Sequence, residues 1–158
     1  MSERVEYVVI GLGALGSATC QVLARRGNEV LGLESHALGH DRGASHDTSR
    51  ILRHSYHTPG YVRLTRDAYG DWAELERLTG HRLVTVVGGL DLFPPEPALP
   101  MTDYTMSMRA EGVPFDVLDA ANVRARWPQF ALPDGTSALY QKSAAIVPAA
   151  RGTRAMQD

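Results

Sequence analysis

The sequence predicts an α/β protein, α+β overall, that opens with a parallel βαβ unit and continues as antiparallel strands mixed with helices. Residues 5–10 form an apolar, β-branched run that ends at a glycine turn, and apolar residues from 15 to 23 then recur at helical spacing. Residues 30–33 form a second apolar run that ends at Glu34. Beyond Glu34 the alternation of strand and helix stops, which favours antiparallel structure in the remainder.

Turn residues and apolar periodicity predict the later elements. An apolar stripe from Tyr61 to Leu75 indicates an amphipathic helix that ends near Gly80. Residues 83–87 and 90–93 flank two glycines, which suits a hairpin or a glycine-kinked pair of strands. Further predictions are a helix at 102–111, a strand at 115–118, a helix between Asp119 and Trp127, a strand at 146–147 and a helix that begins at Pro148.

Composition excludes several classes of partner. The chain of 158 residues is 44% apolar and 22% charged with a net charge of -2, which is typical of a globular domain and gives no basic surface for nucleic acid or anionic lipid. The apolar runs are too short to span a bilayer, and the first residues lack a secretory pattern. We therefore expect a cytoplasmic protein with no nucleic-acid or membrane partner.

A GxGxxG motif lies between the first predicted strand and helix, and Glu34 follows the third glycine by 18 residues. In a Rossmann-like unit the glycines allow a tight turn, the approach of a pyrophosphate and close packing of the helix, while the acid binds the ribose hydroxyls. The negative charge of Glu34 disfavours a 2′-phosphate, so the motif predicts FAD or NAD. The predicted cofactor-binding residues are Gly11, Leu12, Gly13, Ala14, Leu15, Gly16 and Glu34.

The segment 43–56 is rich in polar and cationic residues, where a simple NAD domain would continue with parallel strands and helices. If the segment is helical, His46, Arg50 and Arg53 share one cationic face at spacings i, i+4 and i+7. A solvated basic face is the plain alternative for the two arginines, and a structural hydrogen bond is the alternative for His46.

At this segment the sequence resembles the monomeric sarcosine oxidase and N-methyltryptophan oxidase family of FAD-dependent amine oxidoreductases, in the D-amino-acid oxidase-like superfamily. The matching residues are Gly43, Ser45, His46, Arg50, Arg53, His54 and Tyr56. Further similarity lies at residues 72–76, 88–90, 126–128 and 146–148, so the resemblance runs the length of the chain.

The resemblance implies that FAD is the cofactor and that the enzyme oxidises the C–N bond of a secondary or tertiary amino acid, with oxygen as electron acceptor. It implies that Arg53 binds the substrate carboxylate, that Arg50 lies against the flavin ring and that His46 lines the flavin site. Ser45 and Ser49 are the further expected FAD contacts. Since family members are more than twice as long, we expect an N-terminal portion that is inactive alone.

By the same resemblance, residues 1–80 would begin the FAD-binding domain, residues 81–140 would begin the substrate-binding domain, and residues 141–158 would return toward the FAD-binding domain. An NAD-dependent dehydrogenase fragment and a non-catalytic truncated remnant remain the alternatives. Five histidines between positions 36 and 57 invite a metal hypothesis, but no metal-ligand pattern frames them, so we predict no metal site. The sequence contains no GxSxG motif, so nothing in it indicates a nucleophilic hydrolase.

Overall fold

The computed structural model describes residues 4–158, which divide into two compact units. Unit 1 contains the described residues up to Arg50 together with Ala73–Val84 and Val147–Asp158, and unit 2 contains Ile51–Trp72 and Thr85–Ile146. No helix within residues 4–158 has the length and apolar character needed to cross a membrane.

The strands of this part of the chain are β1 (Tyr7–Ile10), β2 (Val30–Leu33), β3 (Arg50–Leu52), β4 (Thr85–Val86), β5 (Gly89–Phe93), β6 (Asp116–Asp119), β7 (Ser137–Gln141) and β8 (Ala145–Val147). The helices are α1 (Ala14–Arg25), α2 (Pro59–Thr79), α3 (Met101–Ala110), α4 (Ala120–Arg126) and α5 (Ala149–Gln157). All five predicted helices are therefore confirmed, with ends displaced by one or two residues.

Unit 1 is built on the predicted βαβ unit. Strands β1 and β2 pair in parallel, from Tyr7 opposite Val30 to Ile10 opposite Leu33. Helix α1 connects them and packs on both strands, and α5 packs against α1. The parallel start of the fold is thus confirmed. Helix α5 has only nine residues, and so short a helix is marginal in isolation, so packing against α1 stabilises it.

Unit 2 contains an antiparallel sheet in the order β5-β7-β6. Leu90 and Phe93 of β5 are three positions apart, so their side chains lie on opposite faces of the sheet. Phe93 belongs to one apolar cluster with Val62, Met108, Val113 and Leu139, whereas Leu90 packs against another that contains Leu118, Val123 and Ala138. The predicted antiparallel continuation is confirmed, and its central strand is β7, which the sequence patterns did not reveal.

Of the two arrangements expected around Gly88 and Gly89, the hairpin is wrong, because the two strands do not pair with each other. Strand β4 pairs with β8, placing Thr85 opposite Ile146, whereas β5 pairs with β7, placing Gly89 opposite Gln141. The two strands thus join different sheets, since the order of the other sheet is β3-β8-β4. Gly88 has a φ of +75°, and the chain turns there from one sheet to the other.

The conditional helix through His46, Arg50 and Arg53 is also wrong. Residues 43–49 form an irregular loop, and Arg50–Leu52 is strand β3. The short polar side chains of this segment bond the local backbone, as when Asp47 Oδ1 accepts from Thr48 N at 2.7 Å. Such bonds compete with helix formation. Residue 47 also has a φ of +92°, which no right-handed helix contains.

Candidate functional site

The glycine turn of unit 1 has the geometry that the motif requires. Gly11 directly follows β1, has a φ of +89°, and donates its backbone N–H to Leu33 O at 2.8 Å. A Cβ atom on Gly16 would lie 1.8 Å from the carbonyl oxygen of Gly11, so only glycine lets α1 approach the turn this closely. The first and third glycines are therefore required for the shape of the turn itself.

The N-terminus of α1 offers backbone donors at this turn. Gly13 is the N-cap and provides no side-chain cap, and Ala14 N donates to Ser45 Oγ at 2.8 Å. A Cβ on Gly13 would lie 3.0 Å from that same Oγ, inside the space above the donors. Within residues 4–158 the structure gives no acceptor to the N–H groups of Leu15 and Gly16. These donors and the helix dipole suit an anion such as a phosphate.

Glu34 lies beside the same turn, one residue beyond β2. Its Oε2 accepts from Leu12 N at 2.8 Å, and its Oε1 accepts from Ser35 N at 2.8 Å and from His36 N at 3.2 Å. The bond from Leu12 contributes most to lowering the pKa of Glu34 from 4.5 to about 2, opposed by partial desolvation. The carboxylate is consequently ionised near neutral pH and acts only as a hydrogen-bond acceptor, as ribose hydroxyls require.

Two side chains outside the predicted cofactor-binding set complete this region. His40 accepts from Arg42 N at its Nδ1, so its Nε2 carries a proton and faces Glu34 Oε1 at 3.5 Å. Gln157 of α5 donates from Nε2 to Leu12 O at 2.8 Å. No signal in the local sequence predicts Gln157, because it lies 145 residues along the chain from its partner.

A cavity of about 60 Å³ lies over the turn in unit 1. Its walls come from the glycine turn, Glu34, the loop 38–46 and α5, and they include Ser45 and His46. The structure thus brings Leu12 and Gly13 of the glycine motif, together with Glu34, Ser45 and His46, around one concave space.

The loop 43–49 is stabilised largely by Arg50. Its guanidinium donates to Ala44 O at 2.6 Å and to Ser49 O at 2.7 Å, and it lies 3.5 Å from Asp47 Oδ2. His46 Nδ1 lies 2.5 Å from Gly43 O and therefore carries the proton in this contact, which leaves Nε2 as an acceptor. Ser49 contributes to this loop through its carbonyl oxygen, which accepts the hydrogen bond from Arg50.

Arg53 lies in unit 2, directly after β3. It forms an ion pair through Nη1 with Asp91 Oδ1 of β5, and its guanidinium carbon lies 5.3 Å from the ring centroid of Tyr56. About a third of the Arg53 side chain is exposed, compared with a fifth of Asp91. A partly exposed, oriented guanidinium can bind a carboxylate through two parallel donors.

His54, adjacent to Arg53, is fixed on two sides. Its ring stacks on Tyr69 with centroids 4.2 Å apart, and its Nδ1 lies 2.8 Å from Thr65 Oγ1. Thr65 donates its own hydroxyl proton to Val62 O, so His54 Nδ1 is the donor of the pair. Burial, followed by the nearby charge of Arg66, lowers the pKa of His54 below 6.5. This histidine is therefore neutral and structural within unit 2.

The histidines do not cluster as metal ligands. Across residues 4–158, no three side chains of His, Cys, Asp or Glu lie close enough to hold a metal ion. His36 and His40 are near each other, with ring centroids 4.9 Å apart, while His40 is directed at Glu34.

Comparison with known proteins gives a consistent result. Residues 6–158 match the family model described as FAD dependent oxidoreductase. The chain is 39% identical over 148 residues to monomeric sarcosine oxidase from Streptomyces avermitilis, covering 93% of this chain and 38% of that protein. It is 30% identical over 137 residues to N-methyl-L-tryptophan oxidase from Yersinia pestis, covering 86% and 37%. The chain thus spans about two fifths of the length of such relatives.

Solved structures agree with this result at the level of the fold. The open form of NikD, described as an unusual amino acid oxidase essential for nikkomycin biosynthesis, superposes with a TM-score of 0.82 at 26% identity, covering 98% of this chain and 40% of that one. L-proline dehydrogenase from P. horikoshii gives a TM-score of 0.82 at 20% identity, covering 99% and 41%, which shows likeness of fold alone.

Proposed function

Because the chain belongs to the FAD-dependent oxidoreductase family, we propose that unit 1 binds the ADP part of FAD at the glycine turn. The observation that carries this proposal is the ionised Glu34 carboxylate beside the N-terminus of α1, bonded to Leu12 N at 2.8 Å. In this arrangement the N–H groups of Ala14, Leu15 and Gly16 bind the pyrophosphate, and Glu34 binds the ribose hydroxyls. FAD, when bound, supplies the electron acceptor for the oxidation of an amine.

The residues at the glycine turn fit the ADP part of FAD in both charge and available space. Ser45 Oγ already occupies an acceptor position on Ala14 N, at the place where a phosphate oxygen would be bound. The missing side chain of Gly13 keeps that space open, since a Cβ would approach Ser45 Oγ to 3.0 Å. We propose that Ser45 gives up this bond on binding and then contacts FAD, with Ser49 contributing from the same loop.

For the whole protein we propose oxidation of the C–N bond of a secondary or tertiary amino acid, with oxygen as electron acceptor. Relatives named for sarcosine and N-methyl-L-tryptophan support this substrate class. Arg53 is the proposed anchor for the substrate carboxylate, because its guanidinium is oriented by Asp91 and remains partly exposed. Small N-methylated amines and oxygen are accordingly the proposed partners.

Two further roles follow from the loop 43–49. We assign Arg50 to the flavin ring, where a cation stabilises negative charge on the reduced form, and its bonds to Ala44 O and Ser49 O would hold it in place. His46 lines the cavity with Nε2 available as an acceptor, which supports a place for it in the flavin site.

The proposed domain assignment follows the resemblance. Residues 1–80, of which residues 1–3 lie outside the described part, begin the FAD-binding domain; residues 81–140 begin the substrate-binding domain; residues 141–158 return toward the first. The contacts of α5 with α1 support the last assignment. A cytoplasmic location is also a proposal, and two relatives bear the name peroxisomal sarcosine oxidase.

The proposal is tested by spectroscopy of the protein with FAD. Titration of FAD into the purified protein, followed at equilibrium so that a weak complex is detected, should give a saturable change in the visible absorbance of the flavin, whereas NADH should give no saturable change in its absorbance. A saturable response to NADH alone would favour a nicotinamide dehydrogenase, and no response to either nucleotide would favour a non-catalytic remnant.

A further inference from the structure

Asp91 lies at a position where the pattern of the sheet calls for an apolar residue. It is on β5 between Gly89 and Phe93, so its side chain shares the face of Phe93. Its cross-strand partner on β7 is Leu139, which is fully buried in the same apolar cluster as Phe93. A carboxylate on such a face is costly unless a cation compensates its charge.

Arg53 is that cation. Among the described residues the structure gives Arg53 one hydrogen-bond acceptor, Asp91 Oδ1, which Nη1 contacts. The Nε and Nη2 groups have no acceptor within residues 4–158, and the guanidinium lies against the ring of Tyr56. One corner of the guanidinium is thus held by Asp91 while the remaining donors are available to a second anion.

We propose that Asp91 determines substrate specificity by competing with a carboxylate for Arg53, an inference that rests on the proposed role of Arg53 as carboxylate anchor. A carboxylate that binds the open donors of Arg53 meets a guanidinium whose charge is already compensated, and it lies near the negative charge of Asp91. Asp91 therefore weakens the binding of free amino acids. It thereby reduces the advantage of free amino acids over amines whose carboxylate is masked as an amide or ester, because the masked ligands bring no second negative charge.

The test compares sarcosine with N-methylglycinamide, which lacks the carboxylate. The full chain is labelled with ¹⁵N, and the Arg53 Nε–H resonance is followed by NMR during titration with each ligand. Asp91→Asn should lower the Kd for sarcosine about tenfold, equivalent to about 1.4 kcal/mol, without tightening the binding of the amide. Asp91→Leu, which suits the apolar face, should do the same, whereas Asp91→Glu should keep the parent's preference.

Asp116→Asn is the matched control. Asp116 lies on β6 in the same sheet and pairs with Arg126 at 3.3 Å, so this change removes the same charge from another Asp–Arg pair. It should leave both Kd values unchanged. Equal sarcosine affinity in the parent and the folded Asp91→Asn or Asp91→Leu variants would overturn the proposal, as would an equal gain in Asp116→Asn. Loss of the fold in both neutral variants would also overturn it, since Asp91 would then be a structural partner only.

The same titration separates this inference from the proposed function. If sarcosine binds at Arg53 and Asp91→Asn lowers its Kd, then Asp91 competes with the carboxylate for Arg53, even if the whole protein fails to oxidise amines. If the whole protein oxidises sarcosine and Asp91→Asn changes neither affinity, the proposed function holds and the competition is wrong.

Discussion

Glu34 accepts a hydrogen bond from the backbone N–H of Leu12 at 2.8 Å, so the acid at the end of β2 is joined directly to the glycine turn at the end of β1. The turn is held from another side by Gln157, which donates to Leu12 O. The glycine turn and its acid are therefore held in place before any nucleotide binds, and the carboxylate that holds them is the group proposed to bind the ribose.

This bond predicts an acid-dependent loss of stability. The pKa of Glu34 is lowered from 4.5 to about 2 in the folded protein, so its contribution to the free energy of unfolding is present above pH 4.5 and is lost as the pH falls toward 2. Urea unfolding at pH 6 and pH 3 should show a smaller decrease in Glu34→Gln than in the parent. Glu96→Gln, at an exposed loop position, should keep the parent's decrease. Equal decreases in the parent and Glu34→Gln would contradict the assignment.

Gly16 should not tolerate even alanine. The added Cβ would lie 1.8 Å from Gly11 O, so the turn or α1 must shift, at a cost of about 1–3 kcal/mol in the free energy of unfolding. Gly70→Ala is the control, because a Cβ there meets no atom within 4 Å and α2 should gain up to about 1 kcal/mol. Urea unfolding measures both changes, and their signs should be opposite. Unchanged or increased stability of Gly16→Ala would contradict the close contact between α1 and the turn.

Asp47 carries a backbone conformation that disfavours any side chain. Its φ of +92° is positive, and its Oδ1 accepts from Thr48 N. Asp47→Gly and Asp47→Ala both remove that bond, but only glycine relieves the backbone. The glycine variant should therefore be more stable than the alanine variant by about 1–2 kcal/mol in thermal or urea unfolding. An alanine variant of equal or greater stability would show that the loop relaxes at little cost.

The anchor role of Arg53 predicts a loss that depends on the substrate. In the whole protein, Arg53→Ala should lower kcat/KM for an N-methyl amino acid about ten- to a hundredfold, since a charged hydrogen bond contributes about 1.5–3 kcal/mol. An amine without a carboxylate should lose much less, and Arg53→Lys should recover only part of the activity. The double variant Arg53→Ala/Asp91→Leu controls for leaving Asp91 without its partner. Equal losses for both substrates would mean that Arg53 is structural.

Local patterns were sufficient for the elements that are regular over short distances. The βαβ start, the amphipathic α2 and the Asp119 cap of α4, which accepts from Asn122 N, all follow from spacing and residue type. These features depend on residue types and spacings close together in the chain, so local patterns carry the signal. The choice of FAD over NAD came instead from the resemblance along the whole chain, and it agrees with the family model.

Features that depend on distant partners were missed. Strand β7 contains Ser137, Ala138 and Gln141, is largely buried on both faces and shows no alternation of apolar and polar residues. The assignment of β4 and β5 to different sheets depends on pairing with β8, about 60 residues further along, and with β7, about 50 residues further along. The pairing of Arg53 with Asp91 likewise joins residues 38 positions apart, which no local pattern predicts.

The central claim is that the glycine turn binds the diphosphate of FAD, and isothermal titration of FAD into the parent chain and Gly13→Val tests it most directly. A branched side chain at Gly13 would fill the space beside Ser45 Oγ above the helix donors. We expect weak binding to the parent, because the glycine turn and Glu34 contact only the ADP part, and at least a tenfold loss in Gly13→Val with an unchanged circular dichroism spectrum. Equal affinity of both chains for FAD would contradict the account.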